Sequence, residues 1–354
     1  MKALIAMSGG VDSSVAALLV KQRGLECVGC TMKLYDNDDA NVDQTKTCCS
    51  LNDVEDARSV ANRLGMPYYV FNFKDDFKAK VIDKFIACYE CGVTPNPCID
   101  CNRYMKFDKL YERARVLGCD YIVTGHYARI EKVGERYVLK KALDLTKDQS
   151  YVLHHLTAEQ LAHTLFPLGE LKKTEVRAIA REHGFVNADK HESQDICFVP
   201  DGDYAAVIEH HTGKTYPGGN FVDRDGRVLG QHRGIIHYTV GQRKGLAIPA
   251  DRRLYVRAIH PAANTVELCD RDDLLQTTAV AKEFHWINGV PAERQFRCHA
   301  KIRYNQKEQP ATVTVTADDV VQITFDQPQR AITPGQAAVL YDGDIVLGGG
   351  VLCI

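Results

Sequence analysis

The sequence predicts an α/β protein: a doubly wound parallel sheet in the N-terminal half, followed by two smaller β-rich units. Three observations carry that expectation. Short apolar runs alternate with helix-like stretches from Lys2 to Ala128, the pattern of parallel strands joined by crossover helices. After Gly184 the alternation stops, and from Gly218 onward turn signals separate short strand-like runs. The chain has 354 residues, and at roughly 100–200 residues per domain that length favours two or three domains over one small module.

Taken in order, Lys2–Ser8, Cys27–Tyr35, Pro67–Phe73 and Tyr121–Ala128 read as strands, with Asp12–Arg23, Leu51–Leu64 and Tyr104–Leu117 as the helices between them. The segments 36–47 (DNDDANVDQTKT) and 92–103 (GVTPNPCIDCNR) are polar or Pro-containing breaks, and long loops at the strand ends of such sheets usually carry function. In the second half, turns at Asp223–Gly226 and Asp342–Gly343 punctuate the runs Leu254–Ile259, Val313–Val315, Val320–Phe325 and Ala338–Tyr341. Trp286 is assigned to packing.

Composition excludes several classes of function. The 44 Lys and Arg against 46 Asp and Glu give a formal charge of −2, so any nucleic-acid contact must rest on local patches. With 45% hydrophobic residues, the chain holds no apolar run near the roughly 18–20 residues that a membrane span needs. The apolar stretch Ala3–Met7 lacks the length and cleavage pattern of a signal peptide. No membrane role and a cytoplasmic location are expected. The 13 cysteines point to metal, redox or catalytic use for some, and to small buried hydrophobes for most of the others.

Residues 2–14 read KALIAMSGGVDSS: a strand, a Ser-Gly-Gly turn, then a helix opened by Asp12 and Ser13. Gly9 and Gly10 allow close approach of backbone to phosphate oxygens, and the helix N-terminus offers free N–H groups and a favourable dipole. A carboxylate at Asp12 beside phosphates makes most sense with Mg²⁺ between them. The plainer alternative is a strand-to-helix turn capped by Ser8 or Asp12. No Gly-Lys-Ser/Thr ending of the Walker type is present. The motif SGGVDSS resembles the signature of PP-loop ATP pyrophosphatases, and that resemblance implies cleavage between the α and β phosphates, adenylation of a substrate oxygen, then displacement of AMP by a nucleophile.

Residues 94–103 (TPNPCIDCNR), 124–128 (TGHYA), 147–153 (KDQSYVL), 192–198 (ESQDICF) and 238–246 (YTVGQRKGL) accompany SGGVDSS. Together the motifs resemble the MnmA family of tRNA 2-thiouridylases over nearly the whole chain. The resemblance implies a Rossmann-like catalytic domain over 1–200, a central β-containing, tRNA-contacting domain over 201–272 and a C-terminal β-barrel over 273–354. It implies ATP binding by Ala6, Met7, Ser8, Gly9, Gly10, Val11, Asp12, Ser13, Met32 and Gly125, and target-base contacts around Asn96, Pro97 and Cys98. It also implies tRNA contacts at His126, Lys147, Asp148, Gln149, Arg303, Tyr304 and Gln336. The substrate it implies is the wobble uridine of tRNAs for Lys, Glu and Gln, with a cysteine desulfurase or sulfur-relay protein as donor.

By the same resemblance Cys197 carries a persulfide and Cys101 is its catalytic partner. The chemistry suits them, because a thiolate is the reactive form of Cys and a second thiol can break the remaining linkage by exchange. Some relatives carry Asp where this chain has Cys98, so an acid–base carboxylate is missing here. Cys98, Cys101 and Cys197 could instead hold a four-iron, four-sulfur cluster with one iron left open. Relay and cluster both stay open at this level. Cys88-x-x-Cys91 followed by Cys98-x-x-Cys101 also raises a four-Cys zinc site, the mark of a rival reading as a non-catalytic RNA-binding metalloprotein. A PP-loop ligase using a nitrogen nucleophile is the rival enzyme, for which Cys101 and Cys197 would have no use. Cys48 and Cys49 have no assigned role.

Overall fold

The computed structural model describes residues 1–35, 51–190, 196–199 and 202–353. Cys48, Cys49 and residues 192–195 of the ESQDICF motif lie outside them. The chain divides into two compact units, the first made of Met1–Val81, Cys98–Asp203 and Asp344–Val346, the second of Ile82–Pro97, Tyr204–Gly343 and Leu347–Ile354.

The first unit is built on a five-stranded parallel sheet. Its strands are β1 (Lys2–Ala6), β2 (Glu26–Lys33), β3 (Tyr68–Asn72), β4 (Tyr121–Val123) and, after the hairpin β5 (Arg129–Val133) and β6 (Arg136–Lys140), the short β7 (Thr164–Leu165). The order is β3-β2-β1-β4-β7, so β1 is central and the winding direction reverses between β1 and β4. Ala3, Leu4 and Ile5 are all fully buried, as expected of a strand covered on both faces. Helix α1 (Val11–Gln22) lies across the sheet with Val15, Ala16, Ala17 and Val20 fully buried. Its two adjacent alanines let it pack closely, and the helix Lys173–Glu182 meets it through Val176 and Ala180. Helix α2 (Leu51–Arg63) covers the sheet next to it through Ala57, Val60 and Ala61.

Two expected elements differ. The strand expected over Tyr121–Ala128 ends at Val123, because the chain then turns to pack Gly125 against the first turn of α1. The helix expected over Tyr104–Leu117 starts earlier, with Pro97–Asp100, and continues as a π-helix over Cys101–Lys109 before an α-helix over Leu110–Val116. The wide turn is visible in its bonding, since the Leu110 N–H reaches the carbonyl of Met105, five residues back. Such π geometry is uncommon and concentrates at functional sites.

The second unit holds two all-β bodies. A four-stranded sheet has the order β10 (Tyr255–His260), β11 (Thr265–Cys269), β8 (Gly219–Val222), β9 (Val228–His232), with β11 and β8 parallel. The remaining strands are β12 (Leu275–Trp286), β13 (Gln295–Lys301), β14 (Gln309–Ala317), β15 (Val320–Arg330), β16 (Ala337–Asp342) and β17 (Ile345–Cys353). They run β12-β15-β14-β13-β16-β17 and close through β12–β17 pairing into a six-stranded antiparallel barrel, leaving no open edge among those strands. Alternate residues fill its interior, among them Val313, Val315, Val321 and Ile323. Trp286 packs there against Phe284 at 4.5 Å between centroids and donates its indole N–H to the Asp318 carbonyl. Among the described residues no helix is long and apolar enough to cross a membrane.

Candidate active site at the first strand–helix turn

In doubly wound sheets ligands bind beyond the C-terminal ends of strands where the winding reverses, here the ends of β1 and β4. The loop from Met7 to Gly10 joins β1 to α1. The Gly10 N-cap makes no side-chain capping bond, so the first N–H groups of α1 stay open toward an anion. Ser13 turns inward: its Oγ accepts from the Ser8 N–H at 3.1 Å and donates to the Gly10 carbonyl at 3.0 Å. Gly9 has φ +75°, and a Cβ there would stand 2.3 Å from the Asp53 carbonyl oxygen at the start of α2. Any other residue would have to displace the α2 backbone. The Asn187 amide fixes the loop from the far side, donating to the Gly9 carbonyl and to Ser14 Oγ, both at 2.9 Å.

Asp12 is engaged by two groups that the sequence did not reveal. Lys173 Nζ lies 2.8 Å from both carboxylate oxygens, and the Tyr127 hydroxyl donates to Oδ1 at 2.8 Å. Lys173 is a buried lysine in the first turn of its own helix, where the dipole disfavours a cation. That breach of the capping rules is the signal by which the sequence could have flagged it. Gly125, expected at ATP, crosses directly over α1: a Cβ there would come within 2.8 Å of the Ser13 nitrogen. Met32 lies half-buried near the end of β2, next to Thr31, whose hydroxyl donates to the Met7 carbonyl at 2.6 Å.

His126, expected at RNA, is buried. Its Nε2 is 3.2 Å from Lys106 Nζ and its Nδ1 is 2.7 Å from Thr124 Oγ1. An ammonium has no lone pair, so Nε2 is the acceptor and Nδ1 carries the proton. Burial first, and the Lys106 charge second, hold the ring well below the usual histidine range, so it is neutral at physiological pH.

Asp148 and Gln149 also serve the fold. Asp148 accepts from the N–H groups of Ala142 and Ser150 and from the Ser150 hydroxyl, while Gln149 and Tyr127 bond reciprocally. Lys147 is half-buried beside them.

Cys101 opens the π-helix, and Lys106 is the residue five positions on, which π bonding brings to the next turn. Burial pushes the Cys101 thiol up to about 11, opposed by Lys106 and reinforced by Cys98 and Asp100. Cys197 is half-buried, and its carbonyl accepts from the Tyr35 hydroxyl at 2.7 Å, just beyond the end of β2. Phe198 beside it is buried edge-on to Phe77 at 5.8 Å. Cys98 is exposed. Among the described residues no three His, Cys, Asp or Glu side chains stand together as a metal site, so the expected ligand trio for a cluster is not assembled. Cys91 is exposed at the C-cap of the helix Asp83–Glu90, and Cys88 lies one turn back. Cys27, Cys30, Cys119, Cys269 and Cys298 are buried, and burial pushes the Cys298 thiol up to about 12.

In the second unit Gln336 Nε2 donates to the carbonyls of Thr94 and Pro95, at 2.9 and 3.2 Å, and so sets the backbone leading into Asn96 and Pro97. Arg303 Nη2 donates to the carbonyls of Val240 and Ala331, at 3.2 and 2.8 Å, and to Thr333 Oγ1. Tyr304 is half-buried, with Lys301 over its ring at 5.5 Å.

Comparison with known proteins matches the chain in three consecutive stretches. A family model described as the tRNA methyl transferase HUP domain matches residues 1–201, the tRNA methyl transferase PRC-barrel domain matches 205–270, and the aminomethyltransferase beta-barrel domain matches 276–352. The tRNA-specific 2-thiouridylase MnmA of Clostridioides difficile (strain 630) is 52% identical over 353 residues, covering 99% of this chain and 98% of that protein. Proteins of the same name from Lachnoclostridium phytofermentans and Clostridium acetobutylicum are 49% and 48% identical, each over 99% of both chains. A solved 4-thiouridine synthetase–RNA complex with bound ATP overlays 60% of this chain and 53% of that one at a TM-score of 0.36 and 20% identity, too slight a likeness to bear on fold or function.

Proposed function

Because this chain belongs to the MnmA family of tRNA-specific 2-thiouridylases, we propose that it thiolates C2 of the wobble uridine in tRNAs for Lys, Glu and Gln, in the cytoplasm, with ATP as the activating substrate. The observation that carries the chemistry is the uncapped N-terminus of α1 behind the Gly9–Gly10 turn, with Lys173 held beside it by Asp12. The open N–H groups suit the phosphates of ATP, and the lysine adds a positive charge where pyrophosphate departs. Mg²⁺, when bound with ATP, neutralises phosphate charge. Asp12 is the side chain that would hold it, sharing a carboxylate now bonded to Lys173 and Tyr127.

In the first step the uridine O2 attacks the α-phosphorus, the α–β phosphoanhydride breaks and pyrophosphate leaves. A sulfane-sulfur donor, a cysteine desulfurase or relay protein, charges Cys197 as a persulfide. Its terminal sulfur attacks C2, and the C2–O bond breaks with AMP as leaving group. The Cys101 thiolate then attacks Cys197 Sγ, which forms a Cys101–Cys197 disulfide and releases the thiouridine; an external dithiol reduces the disulfide. Cys101, raised to about 11, is a poor thiolate until a base takes its proton, and the attack on Cys197 Sγ requires that transfer. No step is routed through an iron–sulfur cluster, since the described cysteines do not converge as ligands.

The test is pyrophosphate release in the presence of ATP and unmodified tRNA, followed by nucleoside mass spectrometry after addition of a persulfide donor. Release that does not depend on tRNA, or modified nucleosides without 2-thiouridine, would overturn the reading.

A further inference from the structure

The motif YTVGQRKGL (238–246) matches nothing in the catalytic chemistry, yet its turn is bonded on several sides. Tyr238, Val240 and Leu246 are buried, while Arg243, Lys244 and Gly245 between them are exposed. Gly241 has φ +87°, and a Cβ there would stand 2.7 Å from the Ala331 Cβ. Gly245 (φ +79°) and Ala247 (φ 52°) are also left-handed, which is strained for alanine. Gln242 ties the turn from inside: Oε1 accepts from the Thr239 N–H at 2.9 Å, and Nε2 donates to the carbonyls of Lys244 and His237, at 3.1 and 3.4 Å. Backbone bonds join Gly241 and Gln242 to Val256 of β10. From the barrel side, Arg303 donates to the Val240 carbonyl.

All of this holds two cations outward. Some cations of the same unit have acidic partners, such as Arg252 with Asp270, Arg257 with Glu267, Lys214 with Glu90 and Arg297 with Asp326. Arg243 and Lys244 form no ion pair among the described residues. A turn bonded from within and from β10 that displays charged ends is the arrangement expected of a preorganised contact for a polyanion, because the ordering entropy is lost on folding rather than on binding.

We propose that Arg243 and Lys244 are phosphate contacts of this protein for the tRNA backbone, and that Arg303 acts through them as a positioning residue that clamps the Val240–Gly241 turn. The assignment rests on the tRNA-binding reading above and adds a surface to it. The clamp explains why a guanidinium whose Nη2 already serves two carbonyls and a hydroxyl sits at this position.

The experiment measures binding of unmodified substrate tRNA to the full chain over a salt series, for wild type, Arg243→Ala/Lys244→Ala, Arg243→Lys and Arg303→Ala. The double variant is expected to bind about tenfold more weakly at low salt, and its log K against log salt slope to fall by about two, one per cation. Arg243→Lys keeps the wild-type slope. Arg303→Ala weakens binding and accelerates trypsin cleavage after Arg243 and Lys244, since the turn has lost its clamp. An unchanged slope in the double variant, with wild type binding tRNA normally, overturns this assignment alone. Wild type that binds no tRNA overturns the functional reading and this assignment with it. A double variant that binds tRNA as wild type but no longer accepts sulfur from a protein donor overturns it in favour of a protein-docking turn. Arg303→Ala that loses one unit of slope with no change in cleavage makes Arg303 the phosphate ligand and refutes the clamp.

Discussion

The Asp12–Lys173 pair makes a prediction whose asymmetry can be worked from the structure. The lysine side chain is 10% exposed and the aspartate 32%. Removing one member of a buried ion pair costs about 3–5 kcal/mol, because the other charge is left without a partner in a poor solvent. Partial exposure of Asp12 lowers that, and the two directions are unequal. In Asp12→Asn, Lys173 keeps the face of the Tyr127 ring, 5.7 Å from its centroid, but sits against the positive end of two helices, its own and α1; the expected loss is about 2–3 kcal/mol. In Lys173→Met, Asp12 keeps the Tyr127 hydroxyl and the favourable dipole of α1, and the methionine fills the lysine's volume; the expected loss is about 1 kcal/mol. The double variant should lie within about 1 kcal/mol of Lys173→Met, since both unpaired charges are gone. Urea unfolding followed by far-ultraviolet circular dichroism reads all three. Lys173→Met costing as much as Asp12→Asn, or a double variant that merely sums the two, would refute the reasoning. Both single variants should bind tRNA and lose pyrophosphate release.

Cys197→Ser should release pyrophosphate with tRNA and yield no 2-thiouridine by mass spectrometry; a normal yield removes Cys197 from the mechanism. Cys101, raised to about 11 from an ordinary 9.0, should be alkylated in the nucleotide-free protein at a rate that climbs about tenfold per pH unit until near its raised value, because only the thiolate reacts. Lys106→Met should slow that alkylation further at any lower pH, since it removes a charge that favours the thiolate, and a rate that levels off below pH ~9 contradicts the burial of this group. Gly9→Ala should abolish the thermal shift produced by ATP, as its Cβ would collide with the Asp53 carbonyl at 2.3 Å; an undiminished shift would mean that the loop is not where ATP binds.

The sequence showed what is local. A run such as KALIA, buried at every central position, and the Ser-Gly-Gly turn after it announce a parallel strand and an anion loop together, and β1 to β3 fall within two residues of expectation. It did not show what depends on distant partners. Lys173 reaches Asp12 across 161 residues and Asn187 reaches Gly9 across 178; no periodicity encodes either. The π-helix over Cys101–Lys109 was invisible for another reason: CNRYMKFDK has the polarity of an ordinary amphipathic helix, and nothing in that pattern marks the extra residue per turn. Resemblance pointed to Arg303, Gln336, Asp148 and Gln149, and the structure finds each bonded to backbone. A sequence cannot separate a side chain that touches a partner from one that shapes the loop that does.

The Asn187 hold on Gly9 also sets an order in time. The Ser-Gly-Gly turn leaves the ribosome before its carbonyl anchor, which is encoded 178 positions later, and the α2 backbone on which Gly9 rests lies in between. At roughly 5–20 residues per second of synthesis, about ten to forty seconds separate the two. A nascent chain shorter than that carries the SGGVDSS motif without the geometry on which the proposed ATP site rests. Chains cut off by premature termination before Asn187 therefore lack this hold on the Gly9 carbonyl even though every strand of the first sheet, the last ending at Leu165, has already been made.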